Sequence, residues 1–383
     1  MYYNTGGFMI YLDYSANTPV AEAVLQRFCE VERRCPGNAN AHHPAGAAAK
    51  AAMDQATQSI AHSLGVRPGE IIYTSGASEA NNFALKGLAA LEYGTGRHII
   101  STALEHSSIR STLEVLQRQG FQLDLVGLRP DGTVDLEQLA ALLRPDTILV
   151  AVTAVDSELG VPQPLAAIAR LLQNRPHCHF HVDATQAVGK LPLPDFKGID
   201  TMSLTAHKFY GLNGIGVLVK RQGLALEPLI HGGSSTTPYR SGSPTVGLAC
   251  SLALALDQAV TQLPQRAEYT RQLNRWLREA LARYPEVQIN SPQNAVPQIL
   301  NLSVRNVKGT VFQRELAAQG VCVSVKSACA SDGLPSQAVL AVSGDPRNAL
   351  SSWRISLSHL TTRQELEDFL QVFDRCYHTL TQG

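Results

Sequence analysis

The sequence predicts an α/β protein, with a mostly parallel central sheet, helices on both of its faces, and a smaller α+β domain. Three observations lead there. Between about residues 70 and 220, short apolar runs alternate with helical patterns, which is the rhythm of repeated strand–helix–strand units. Polar residues recur where those runs end, namely Ser78, His106, Ser157, Asp183, Gln186, His207 and Lys208, and open α/β sheets carry their sites at that edge. The chain has 383 residues, too many for one simple core and about right for two domains.

The elements follow in order. Ile10 to Leu12 reads as a short strand before the turn-rich Asp13–Pro19, and Ala21 to Arg33 as a helix. A loop at 36–44 precedes an alanine-rich helix from Ala47 to Leu64 that stops at Gly65. Glu70–Tyr73 is a strand, Thr74–Glu79 a turn of small residues, and Asn81–Leu91 a helix. That order builds an anion site: small side chains let backbone N–H groups approach, and a helix N-terminus adds partial positive charge. The plainer reading is a simple connection with Ser78 as helix cap. Strands are expected at 97–102, 122–126, 147–155, 179–182, 202–204 and 217–219, with helices at 136–143 and 165–173. A loop-like stretch covers 230–244. Val246 to Val260 is an apolar helix, and Leu273, Trp276, Leu277, Ala280, Leu281 and Tyr284 form one helical stripe. In the smaller domain, strands are expected at 286–290, 297–304, 320–325 and 353–358. Helices are expected at 309–318 and 362–380, the last opened by the capping box Thr362-Arg363-Gln364-Glu365. Residues 326–352 read as one long loop. The division is then 18–262 for a large domain, and 1–17 with 263–383 for a small one.

Composition narrows the function. The chain is 44% hydrophobic with zero formal net charge, which gives no reason to expect nucleic acid or an anionic membrane as partner. No apolar run reaches membrane-spanning length, and residues 1–8 carry neither the basic nor the apolar region of a signal peptide, so a cytoplasmic location is expected. Seven cysteines, with no C-x-x-C, argue against a disulfide framework and a zinc ribbon, and no metal site is expected. Most of these thiols read as small core residues. Cys329 differs, because it lies among small polar residues in a long loop, where exposure and a nearby cation, Lys326, would favour a thiolate.

Lys208 stands where a strand gives way to a glycine-rich turn, Gly211 to Gly216, and is read as holding a cofactor as a Schiff base. Asp183 has two readings, a helix cap or a carboxylate aimed at a cation. His106 has likewise a structural and a catalytic one.

Together these motifs resemble the cysteine desulfurase family, within the class V, fold-type I enzymes that use pyridoxal 5'-phosphate. The marks are YLDYSANTP (11–19), TSGASEANN (74–82), EH (105–106), ELG (158–160) and HVDATQ (181–186), then AHKFYG (206–211), HGG (231–233), RSG (240–242), SAC (327–329) and SSWRISL (351–357). The resemblance implies a role for each matching residue. Lys208 would be the Schiff-base lysine and carry the substrate's α-proton. Asp183 would pair with the pyridine nitrogen, Gln186 lie near the ring hydroxyl, and His106 stack on the ring and serve in proton transfer. Ala77, Ser78, Thr205 and His207 would cradle the phosphate, with Ser243 contributing from a partner subunit of a homodimer. Arg354 would take the substrate carboxylate, beside Ser157, which also contacts the cofactor. Cys329 would attack the substrate sulfur and carry it as a persulfide to a protein acceptor that the sequence does not identify, with iron–sulfur cluster assembly, tRNA thiolation and cofactor sulfuration all open. Ser157 stands where the family usually has asparagine, Tyr14 where asparagine is common, and Lys326 where glycine precedes SAC. Other class V chemistry (selenocysteine lyase or aminotransferase) and a non-catalytic homologue are the alternatives.

Overall fold

The computed structural model describes residues 9–193, 195–326 and 334–382. Strand β1 (Ile10–Tyr11) leads into helices α1 (Glu22–Arg34) and α2 (Pro44–Leu64). There follow β2 (Ile71–Thr74), α3 (Ala77–Leu91), β3 (His98–Ser101), α4 (Ser107–Arg118), β4 (Gln122–Leu125), α5 (Leu136–Leu142), β5 (Thr147–Thr153), α6 (Leu165–Leu172), β6 (His179–Asp183), β7 (Thr201–Thr205) and β8 (Gly216–Lys220). These strands form a sheet of order β2-β8-β7-β6-β5-β3-β4. Every pair from β7 through β4 is parallel, whereas β8 runs antiparallel to both of its neighbours, β7 and β2. β5, β6 and β7 are buried along their whole length, as central strands covered on both faces must be. One face carries a core built with Val150, Val152, Phe180, Val182, Met202 and Leu204, joined by α7 (Val246–Thr261). The other packs Phe83, Leu88, Ile109 and Leu113 of α3 and α4.

The remaining elements are α8 (Leu263–Leu281), β9 (Val287–Ile289), β10 (Ile299–Val304), α9 (Gly309–Ala318), β11 (Val321–Cys322), α10 (Gln337–Ser343), α11 (Pro346–Ser351), β12 (Ser352–Ser356) and α12 (Arg363–Thr381). β10 lies between β9 and β12 in an antiparallel sheet, and β1 pairs in parallel with β11. Their core gathers Ile10, Leu12, Leu277, Phe312, Trp353 and Phe373, with the Trp353 and Phe312 rings stacked 5.2 Å apart. Residues 9–12 thus pack with the last third of the chain.

Three expectations need correction. The stretch 326–352 is not loop throughout, because α10 and α11 occupy much of it. The first is capped by Ser336 and stopped by the left-handed Gly344, and the second is capped by Asp345 ahead of Pro346. α4 was not expected, although its sequence has a helical stripe at Ile109, Thr112, Leu113 and Leu116, all buried. The strand expected at 320–325 is only Val321–Cys322, with a separate bridge from Ser324 to Arg354. Among the described residues no single helix is long and apolar enough to cross a membrane, and no cluster of His, Cys, Asp and Glu could hold a metal ion.

Candidate active site

The ends of β2, β3, β5, β6 and β7 surround a cavity of about 340 Å³. Ser78, His106, Ser157, Asp183, Gln186, Thr205, His207 and Lys208 all line it, with Ala77 at the start of α3 and Arg354 from β12. Ten of the twelve residues singled out from the sequence therefore converge on one space. Ser243 does not: it sits in the exposed connection between β8 and α7 and is absent from this lining. Cys329 lies outside the described residues.

The wall under α3 suits an anion. The helix begins at Ala77 on Gly76, and its first N–H groups have no carbonyl one turn back to bond. Glu79 caps the turn by accepting from the Ser75 N–H at 2.7 Å and pairs with Arg240 Nε at 3.0 Å, which ties the 230–245 connection to this turn. The start of β8 closes in from the side. A Cβ at Gly216 would lie 2.6 Å from the Leu204 carbonyl and 2.7 Å from Gly76 Cα, so only glycine allows this approach.

Lys208 follows β7. Its Nζ donates to the carbonyls of Ser15 at 2.9 Å and Ala16 at 2.6 Å, and Gln186 Nε2 donates to the same Ser15 carbonyl. Tyr210 nearby holds a left-handed φ of 68°. Its N–H reaches Thr18 Oγ1 at 2.8 Å and its hydroxyl meets Ser358 Oγ at 2.6 Å, contacts that hold a conformation unfavourable for a bulky residue. Burial, with the Lys208 charge adding, pushes His207 down to about 4. Burial also lowers His106, with Asp183 opposing. Both imidazoles are neutral at pH 7.

Asp183 ends β6. Its Oδ1 accepts the Thr185 N–H at 2.9 Å and its Oδ2 accepts from Asn81 Nδ2 at 2.9 Å. Glu105, beside His106, accepts from Thr102 Oγ1 and the Thr153 N–H, and burial raises its carboxyl to about 8.

Arg354 comes from the antiparallel sheet and is 1% exposed. Nη1 donates to the Ser157 carbonyl at 2.7 Å, Nη2 pairs with Asp13 Oδ1 at 2.9 Å, and Nε has no partner. The other Asp13 oxygen accepts from Ser324 Oγ at 2.7 Å. Burial, reinforced by Glu158, pushes Asp156 up to about 7, with Arg354 opposing. Lys326 is buried too. Its charge acts on Glu158, whose carboxyl burial raises.

Sequence reasoning missed Asp13, Asn81, Ser108 and the Ser15 and Ala16 carbonyls. Asp13 and Asn81 stand inside motifs quoted for the resemblance, and their partners lie far along the chain, so nothing local marked their roles.

An anion cradle at a helix start, with a lysine, an acid and a histidine at the strand ends, defines a group-transfer enzyme of the class-V aminotransferase type. The profile of that family, aminotransferase class-V, matches residues 10–369, and the chain belongs to the family. It is 33% identical to the cysteine desulfurase IscS of Dictyoglomus turgidum over 375 residues, 97% of this chain and 95% of that one. It is 40% identical to the cysteine desulfurase IscS of Proteus mirabilis over 370 residues, 94% of this chain and 90% of that one. Among solved structures, a NifS-like protein superposes with a TM-score of 0.91 at 32% identity, covering 97% of this chain and all of that one.

Proposed function

We infer that this protein is a cysteine desulfurase, which converts L-cysteine to L-alanine and transfers the sulfur to Cys329 as a persulfide for delivery to a protein acceptor. The observation that carries the reading is that Lys208, Asp183, the α3 anion cradle and Arg354 line one cavity. The curated relatives named cysteine desulfurases support it along nearly the whole chain.

The cavity residues fit pyridoxal 5'-phosphate. The free N–H groups at the α3 start, with Ser78, Thr205 and His207, would hold its phosphate. Asp183 would face the pyridine nitrogen. Gln186, whose Oε1 has no partner, would lie near the ring hydroxyl, with Ser157 close by and His106 against the ring. When bound, the cofactor supplies a carbonyl that condenses with amines and a ring that takes up electrons.

The rest falls to the chain itself. Arg354 fixes the substrate carboxylate through its planar fork. Lys208 Nζ takes the proton from the substrate α-carbon and returns it. The Cys329 thiolate attacks the substrate sulfur. An S–S bond forms, the C–S bond breaks, its electron pair stays with carbon, and that carbon takes up a proton to become the alanine methyl. Cysteine plus thiol gives alanine plus persulfide, so no external oxidant enters. We further propose a two-domain division at 18–262 and 1–17 with 263–383, a cytoplasmic homodimer, and Ser243 serving the partner subunit's site.

Cys329→Ala tests the reading. The variant should retain cofactor on Lys208 and lose sulfide and alanine production from L-cysteine. Sulfide release at the parent rate would overturn it, and keto-acid formation in place of alanine would point to transamination.

A further inference from the structure

Asn81 is completely buried on the second turn of α3, where the helix crosses β6 and β7. Its side-chain amide has four hydrogen-bonding positions, two donor and two acceptor, and all four are filled. Oδ1 accepts from His181 Nε2 at 3.0 Å and from Ser203 Oγ. Nδ2 donates to Asp183 Oδ2 and to Ser108 Oγ, each at 2.9 Å.

The direction of these bonds is forced. A carboxylate only accepts, so the amide nitrogen must face Asp183. Ser108 Oγ then accepts from Asn81 and directs its own proton to His106 Nδ1, 2.9 Å away. The Ser108 backbone N–H approaches the same ring nitrogen at 3.2 Å. With donors on Nδ1, a neutral His106 carries its proton on Nε2. His181 obeys the same order, donating from Nε2 to Asn81 and facing Thr201 Oγ1 with Nδ1 at 2.9 Å.

We propose that Asn81 is a positioning residue that orients the Asp183 carboxylate and, through the Ser108 hydroxyl, reinforces the backbone N–H that keeps the proton of His106 on Nε2. The proposal rests on the reading of Asp183 and His106 as cofactor-facing groups. One buried amide thereby sets both the acid and the imidazole of the site, and it places the carboxylate's two oxygens between two fixed N–H donors.

Two variants separate the branches. Ser108→Ala removes the hydroxyl donor on His106 Nδ1, keeps the backbone N–H of position 108 at 3.2 Å and leaves the Asp183 contact, whereas Asn81→Ala releases the Ser108 hydroxyl and removes the Asp183 contact. The full-length protein, stripped of cofactor and labelled with ¹⁵N-histidine, reports the tautomer by long-range N–H correlation spectra. The parent should show His106 with its proton on Nε2, and each variant, with only the 3.2 Å backbone N–H still fixed on Nδ1, should show a larger share of the Nδ1-protonated form. Pyridoxal phosphate added back should bind Asn81→Ala about tenfold or more weakly, the scale of a lost hydrogen bond to a charged group. Ser108→Ala should bind within about twofold of the parent, since hydrogen bonds distant from the ring nitrogen contribute little there. Asn81→Asp keeps the side-chain volume and turns an oxygen toward Asp183, so it should weaken binding further even where Asn81→Ala folds poorly. An unchanged His106 tautomer in Ser108→Ala, or unchanged cofactor affinity in Asn81→Asp, overturns the proposal. The tautomer measurement needs neither cofactor nor turnover. A parent that makes no alanine from cysteine would therefore refute the desulfurase reading while leaving this one testable.

Discussion

Replacing Arg354 by lysine isolates what the guanidinium fork contributes. A guanidinium has five N–H donors. In Arg354 one on Nη1 serves the Ser157 carbonyl and one on Nη2 serves Asp13, which leaves the second N–H on each Nη and the unpartnered Nε. Those three are arranged to take a carboxylate on two parallel bonds. Lysine offers a single nitrogen, and in this pocket Asp13 and Ser157 compete for it. Losing one of two charge-assisted bonds costs about 1.5–3 kcal/mol, or roughly 10- to 150-fold in kcat/KM. The proposed reading assigns Arg354 to the substrate carboxylate and not to the cofactor, so the loss should appear mainly in KM for L-cysteine. The assay is alanine formation across a cysteine concentration series, with the cofactor's visible absorbance followed in the same samples. Absorbance should match the parent's. A KM within twofold of the parent, with a well-formed cofactor spectrum, refutes the assignment of Arg354.

Further outcomes follow from other contacts. Glu105 keeps its proton to about pH 8 in the folded chain against 4.5 as the ordinary value, so stability falls as pH rises from about 4.5 to 8. Glu105→Gln should flatten that decline by a few kcal/mol at most, and an unchanged slope of Tm against pH over this window would contradict it. Gly216→Ala should force β8 off the α3 turn, lowering Tm and weakening pyridoxal phosphate retention, because overpacking against backbone costs about 1–3 kcal/mol. Lys326→Gly should raise the pH at which Cys329 is alkylated by iodoacetamide, and an unmoved alkylation profile would exclude a role for its charge.

Much of the fold was legible because burial and periodicity agree there. β5, β6 and β7 are continuous apolar runs, and α8 carries its stripe from Leu273 to Leu281. α4 escaped because its stripe follows the EH motif without a conventional cap; the cap is His106 itself, whose ring accepts the Ser108 N–H. α10 and α11 are short and rich in small residues, and only their caps mark them. The reversal of β8 has no sequence signal beyond the short glycine-rich link after Lys208. Of the site, residues at strand ends were readable as a series. The contacts that hold them were not, since Asp13 with Arg354 and Asn81 with Asp183 join residues 341 and 102 positions apart.

The Asp13–Arg354 pair has a consequence for the chain as it is made. The turn that supports Lys208 is anchored at residues 15–18, and these contacts are complete by residue 210. β1, by contrast, waits for β11, and Asp13 waits for Ser324 and Arg354. During synthesis the parts proposed to hold the cofactor therefore leave the ribosome well before the arginine proposed to take a substrate carboxylate. Closing loops of such length slows folding. The lysine contacts thus join residues that are made early, whereas the arginine contacts join the two ends of the sequence.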